Sequence, residues 1–495
     1  MGGIKYNLAA VKLMFASLAA AGGIIFIVGF IRGNDKVTLI SVGVYCLLAI
    51  SLPLMLKRKF SLFEPVTLLI FSVLIGCTLR AIFFSTASDN NHKIYFLTDG
   101  EVASELVRGA VYVPLGLLSL SIGYLSVFKR LPIERLKIFR PEFNCWSLPR
   151  AIWVAVLFIL VSLVAITKLS TGNDVRFDSL AALSMKRMAE VGGQGASRLG
   201  YWVWMSELSR VSGILLLIAI WAGGHRILGF GGGARYMIAR ALLFVSFLLS
   251  MCWPILSSSR TGVLEVIFSL AVILSFMGLR GGARARGFKF SIFAGGAICI
   301  AVAVLVLFGV WRQYSQIGEI KDSGYLEAVA NNTVGSGNFL PMLRTAIIIN
   351  RMQGSGQYML GASYAGVALA PIPRSVWLDK PEIGLGEFVK TEIFGREALR
   401  SGYPPGILGE AFINFGFLGL FSIPFLFGGM LRLFYNSFCP LLEGGNMAGL
   451  ALYSSCLWPV AFQLADLDFS LVVINSALSV MPILVALPLI RRRVR

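Results

Sequence analysis

Histidine is nearly missing from this chain. Two occur in 495 residues, His92 and His225. Neither stands beside a serine or cysteine in a nucleophile pattern, which argues against Ser-His and Cys-His hydrolysis. HExxH, the phosphate-binding GxxxxGK[ST] and a GxGxxG following a strand are absent, so zinc proteolysis, ATP use and dinucleotide use find no support. Cysteine is sparse: residues 46, 77, 145, 252, 299, 439 and 456 never form CxxC. They fall in apolar blocks or in the loops assigned below to the cytoplasmic side, so disulfides and a structural zinc are not expected.

Charge is scarce too. Asp, Glu, Lys and Arg make up 14% of the chain, against about a quarter in a water-soluble domain. Lys and Arg outnumber Asp and Glu by 44 to 25, but they gather at the ends of apolar blocks and form no basic stripe with interleaved aromatics. That placement argues for membrane topology and against nucleic acid as a partner. Internal repeats and low-complexity tracts are lacking as well.

What is present is apolar sequence: 57% hydrophobic residues and a mean hydropathy of +0.78. It is arranged in blocks of about twenty residues, the length that crosses a bilayer core as a helix. The expected fold is an all-α polytopic membrane protein with about 12 transmembrane helices, near 10–31, 37–56, 62–84, 107–128, 149–168, 208–223, 237–256, 261–279, 289–311, 407–431, 447–465 and 470–490. Lys5 and Lys12 precede a first apolar run too long for a signal-peptide core, so the first helix is read as uncleaved. Cations then fall in alternate connections: KRK at 57–59, KRLPIERLKIFR at 129–140, RGGARARGFK at 280–289 and a final RRRVR. The positive-inside rule therefore expects both termini in the cytoplasm. Residues 1–311 would hold nine spans, with outer loops at 85–106 and 169–207. Residues 312–406 would form one large outer loop, and residues 407–495 three more spans.

A loop of that size carrying many apolar residues is expected to be ordered and functional. Within it, 336–352 reads as a helix placing Arg344 and Arg351 on one face, and 358–373 is apolar but too short to span. The segment 177–191 reads as an amphipathic interfacial helix.

The stretch SSSRTGVLEV (257–266) puts Arg260 at the outer start of a span, where free N–H groups, serine hydroxyls and a guanidinium suit an anion such as a lipid diphosphate. The bland alternative is that Arg260 snorkels to phospholipid or pairs with Glu265. Arg312, Arg374 and Lys380 face the same side, with Arg176, Lys186 and Arg187 in the second outer loop. Arg80 and Arg108 read as snorkelling helix ends, and Glu207 with Arg210 as a self-neutralising pair. Among outer carboxylates, Glu410 is either a base or a structural partner for an arginine. Asp466 and Asp468 have a spacing too common to specify a metal, and Asp468 is expected to cap the last span.

Three stretches, SSSRTGVLEV, IPRSVWLDKPEIG and GYPPGILGEAFINFGFLG, make the chain resemble the O-antigen (Wzy-type) oligosaccharide repeat-unit polymerases, over about residues 250 to 430. The resemblance implies a GT-C-like membrane glycosyltransferase of the bacterial inner membrane. Such an enzyme would join undecaprenyl-diphosphate-linked oligosaccharides on the periplasmic face for surface polysaccharide or lipopolysaccharide, with no required metal or other cofactor. It would meet membrane lipids and, as further partners, a chain-length regulator and a flippase. Carried over by motif, Arg260, Arg374 and Glu410 are the catalytic candidates. Lys380, Asn414, Tyr403, Arg312 and the loop arginines Arg344, Arg351, Arg176 and Arg187 are the substrate-binding ones. The chain departs from one family pattern, an Arg, ten residues, then Gly: nine residues separate Arg344 from Gly354 and Arg351 from Gly361, and the second loop has no match. Three other readings stand beside this one, the third being a pure scaffold, against which the proline-stiffened arginine motif argues. An O-antigen ligase would use the same donor, with His92 as its only outer histidine. A transporter would more usually show repeats and ionisable groups at mid-membrane.

Overall fold

The computed structural model describes residues 4–5, 8–56, 59–86, 102–140, 145–171, 202–222, 233–256, 259–278, 334, 342–354, 356–372, 376–377, 380–381, 383–395 and 402–492. Among these residues, ten helices are long and apolar enough to cross a membrane. The chain is a polytopic helical membrane protein. In order they are α1 (Leu8–Ile31), α2 (Asp35–Leu56), α3 (Pro65–Ser85), α4 (Leu106–Ser126), α5 (Leu148–Thr171), α6 (Trp202–Ala222), α7 (Gly233–Leu256), α11 (Gly406–Gly444), α12 (Met447–Asp466) and α13 (Phe469–Ile490). Shorter helices are α8 (Arg260–Gly278), α9 (Met342–Met352) and α10 (Ala362–Leu369).

Of the twelve expected spans, ten are present as full-length helices and an eleventh is α8, whose apolar stretch Thr261–Met277 is shorter. The ninth expected span, 289–311, lies outside the described residues, as does the interfacial segment 177–191. The short apolar segment after 357 is indeed no span: it forms the single helix α10 and then turns. Besides helix, a two-residue strand pair joins β1 (Ile4–Lys5) to β2 (Lys59–Phe60), antiparallel.

The chain divides into two compact units that interleave in sequence, where hydropathy suggested consecutive blocks. The first comprises Met1–Leu131, Ala330–Asn436 and Pro459–Asn475; the second comprises Pro132–Val329, Ser437–Trp458 and Ser476–Arg495.

The first unit is built on α2. Its Leu39, Val42, Cys46 and Ile50 are buried in one core with Val73 and Cys77 of α3, Leu117 and Leu120 of α4, Ile348 of α9 and Phe412 of α11. Lipid tails are as apolar as leucine, so spans associate chiefly through close packing, which small residues permit. Gly123 of α4 lies directly on the backbone of Phe425, and Gly428 of α11 on the backbone of Leu120. A Cβ at either glycine would collide with main chain.

Two helices of this unit change winding just before a charged residue. In α3 the turns Leu74–Leu79 are π-helical and lead into Arg80; in α12 the turns Trp458–Gln463 are π-helical and lead into Asp466. One extra residue in a turn rotates everything downstream by about 100° relative to a regular α-helix. Polar groups at the ends of apolar spans are thereby re-aimed.

In the second unit, α5, α6 and α7 pack through Ala155, Leu216, Ile220 and Ala239. Asn446 caps the start of α12, accepting from the Gly449 amide (2.9 Å), and its side-chain amide donates to the Phe139 carbonyl (2.7 Å).

Candidate functional site

The α11 segment contains the point on which the local architecture turns. Gly416 has φ 58° and ψ −141°, a conformation that only glycine adopts without cost. A Cβ there would stand 2.8 Å from the Tyr358 ring. The helix is broken at that residue, and the carbonyls of Ile413 and Asn414 accept hydrogen bonds from the amides of Met359 (3.1 Å) and Leu360 (2.9 Å). A non-helical strip, 358–361, is therefore bonded along a membrane-seeking helix. Leu360 in that strip is exposed and has φ 48°, an outlying conformation for a bulky side chain, of the kind found where a neighbouring site dictates the backbone.

Asn414 fixes the strip. Its Oδ1 accepts from the Gly361 amide (3.0 Å), and its Nδ2 donates to Ser363 Oγ (2.7 Å) and to the Glu410 carbonyl (2.8 Å). Ser363 in turn donates to Glu410 Oε1 (2.6 Å), while Glu410 Oε2 accepts from the Phe469 amide (2.6 Å). Among the described residues Glu410 pairs with no arginine, where one reading of the sequence expected such a pair. It takes the first amide of α13 and so caps that helix from a different span.

Asp468, expected to cap α13 itself, is directed elsewhere. Its Oδ2 accepts from the Leu385 amide (2.7 Å), and its Oδ1 is buried with no hydrogen-bond partner among the described residues. Burial pushes the Asp468 carboxyl up to about 6, against the pull of the Leu385 amide and the Arg344 guanidinium. The hydroxyl of Tyr364 is a second buried polar atom without a partner among the described residues. Its pKa is raised by burial and then by Glu410.

Two arginines complete the cluster. Arg344 is buried on α9, donates to the Pro404 carbonyl, and lies over the Tyr403 ring with its guanidinium carbon 5.6 Å from the centroid. Burial lowers its pKa, opposed by Asp466, Tyr403 and Asp468 in that order. Arg80 is buried as well: its Nε donates to the Val334 carbonyl (2.8 Å), and it interacts electrostatically with Arg344 and Asp466. The expectation that Arg80 merely snorkels is corrected here. The π-helical turns before it direct the guanidinium into the unit, whereas Arg108 is exposed.

Of the candidates read from sequence, the first unit thus brings Arg344, Glu410, Asn414 and Tyr403 into one polar neighbourhood. It joins to them Arg80, Asp466, Asp468, Ser363 and Tyr364, which the sequence reading did not place there. Aromatic rings surround the cluster: Tyr364 stacks on Phe415 and meets Phe469 edge-on, and Phe394 meets Tyr403. Lys380 lies beside α10, where its Nζ donates to the carbonyls of Ile372 (2.7 Å) and Ala370 (3.3 Å). It closes the C-terminal end of that helix. Arg351 is exposed and donates to the Ile393 carbonyl (2.5 Å). Arg312, Arg374, Arg176 and Arg187 lie outside the described residues. Among the described residues no group of three or more His, Cys, Asp or Glu could hold a metal ion.

Arg260 belongs to the second unit and is the first residue of α8. Ser259 stands at the cap position, its hydroxyl 3.4 Å from the Gly262 amide. The side chain of Arg260 lies outside the described part of the structure; that of Glu265 is described. Its carboxylate is ion-paired with Arg210, which also meets Glu207 (3.2 Å) and Ser479 (3.2 Å). The pairing of Glu207 with Arg210 read from sequence is present, enlarged by a second glutamate. A cavity of about 20 Å³ beside it is lined by Ile214, Leu243, Phe247 and Leu270 together with Ser246 and Ser250.

The chain matches no family model, no curated protein and no solved structure.

Proposed function

We propose that the chain is a membrane glycosyltransferase that extends a polysaccharide by transferring a chain carried on undecaprenyl diphosphate to the next lipid-linked repeat unit. The reading rests on one observation: two buried arginines stand among three carboxylates and a ring of aromatic side chains, at the ends of apolar spans. Ionisable groups inside a membrane protein are costly and mark functional sites by default. This set has the parts the reaction needs. As the glycosidic bond to the carrier breaks, negative charge builds on the departing diphosphate, and fixed guanidinium groups in a partly dehydrated site stabilise it without a metal. A carboxylate takes the proton of the attacking hydroxyl. Tyrosine and phenylalanine faces offer apolar surface to sugar rings.

In this scheme Arg344 and Arg80 hold the diphosphate end, with Arg374 contributing from one of the stretches that carry the family resemblance. Asn414 and Glu410 keep the strip 358–363 and the start of α13 in place. The site faces the periplasm of a bacterial inner membrane, with both termini in the cytoplasm. The test is a deletion strain complemented with Arg344→Ala or Arg374→Ala, its surface polysaccharide resolved on a gel and the protein quantified in the membrane. A collapse of the ladder to single repeats, with insertion intact, is the expected result. An unchanged ladder from both variants would remove the diphosphate role.

A further inference from the structure

We infer that Asp468, and not Glu410, receives the proton of the attacking sugar hydroxyl; the inference rests on the glycosyltransferase reading above. The choice follows from which oxygens are already engaged. Glu410 spends Oε1 on Ser363 and Oε2 on the Phe469 amide, each at 2.6 Å. Protonating either oxygen would weaken the bond that oxygen accepts, from Ser363 or from the cap of α13. Asp468 spends only Oδ2, on the Leu385 amide at 2.7 Å. Its Oδ1 is buried and has no donor among the described residues, in a residue only 1% exposed. A structural aspartate would have both oxygens satisfied, because an unpaired buried acceptor is a net cost. The hydroxyl of Tyr364, whose ring packs on neighbouring Phe469, is open in the same way and is suited to a second sugar hydroxyl.

The surroundings fit a base. Burial disfavours the charged carboxylate, the Leu385 amide and then Arg344 on α9 favour it, and Glu410 on α11 and Asp466 at the end of α12 interact with it electrostatically. The turn Gly384–Gly386 covers the group: a Cβ at Gly384 would stand 3.0 Å from Asp468 Oδ2. In the step itself, the acceptor oxygen forms a bond to the anomeric carbon of the donor chain. The bond from that carbon to the carrier diphosphate breaks, its electron pair leaves with the diphosphate, and the hydroxyl proton passes to Asp468 Oδ1 and later to water.

The experiment uses purified full-length protein in nanodiscs with an undecaprenyl-diphosphate-linked oligosaccharide, following single-turnover chain transfer between about pH 5 and 8. For the wild type, the rate is expected to fall on the acid side of about pH 6, about tenfold per pH unit, as for any single required base. Asp468→Asn should lose about 100-fold or more in rate while still binding the lipid-linked substrate. Glu410→Gln should keep the acid limb and melt earlier. Transfer by Asp468→Asn at close to the wild-type rate would overturn the assignment and leave the glycosyltransferase reading standing. So would a wild-type profile flat through pH 6, a readout that needs no variant to fold. A wild type that binds the substrate and transfers nothing would overturn that reading itself.

Discussion

A single orphaned oxygen separates the roles of two carboxylates. Glu410 and Asp468 both stand near the start of α13, and each was legible as a chemical or a capping residue. The sequence reading expected Asp468 to cap α13, but the amide it would cap is taken by Glu410 from α11. Residues 59 positions apart leave no local pattern that announces such an exchange. The buried Asp468 carboxyl also has a consequence for stability. Its pKa is raised to about 6, above an unfolded value of about 3.9. The folded state therefore binds more protons than the unfolded one between these values, and this group costs stability as pH rises through the interval. Asp468→Asn is expected to raise the apparent melting temperature by a few degrees at neutral pH, with the gain vanishing near pH 4. Thermal unfolding in detergent across that range checks it. In the second unit, Arg210→Ala would strand Glu265 in the protein interior and cost about 3–5 kcal/mol. Replacing Arg210 and Glu265 together with Met and Gln should cost much less, by the same melting assay.

At the scale of elements, the spans themselves were legible, because twenty apolar residues in a row admit few structures that satisfy the backbone in lipid. Changes inside a span were not. The π-helical turns before Arg80 and Asp466 leave no composition signal, and they decide that Arg80 points into the unit. The break in α11 was not read from the sequence, which gave an unbroken span there, and its purpose, two carbonyls offered to Met359 and Leu360, needs the partner strip to be seen. Gly416→Ala forces a side chain onto φ 58° and into the Tyr358 ring. It should cost about 1–3 kcal/mol and release the strip, read as faster proteolysis within 357–363. The reciprocal glycines Gly123 and Gly428 bring α4 and α11 into backbone contact. Gly428→Val is expected to cost more than Gly416→Ala and to reduce the amount of protein in the membrane.

For the whole molecule, hydropathy conveyed the polytopic character, while the interleaving of the two units is a product of packing. A chain segment such as α11 contributes to both units, so no cut at a loop separates them. The clustering of Arg80, Arg344, Asp466 and Asp468 unites residues hundreds of positions apart, which explains why single motifs located only part of it. The measurement that tests the central claim most directly is reconstitution of the purified wild-type protein with one synthetic undecaprenyl-diphosphate-linked repeat unit. Chain length and free undecaprenyl diphosphate would be followed together. Stepwise elongation is predicted, one carrier diphosphate freed per bond made, with Arg344→Ala slowed about 100-fold or more. Intact substrate with wild-type protein, and no diphosphate released, would contradict the account.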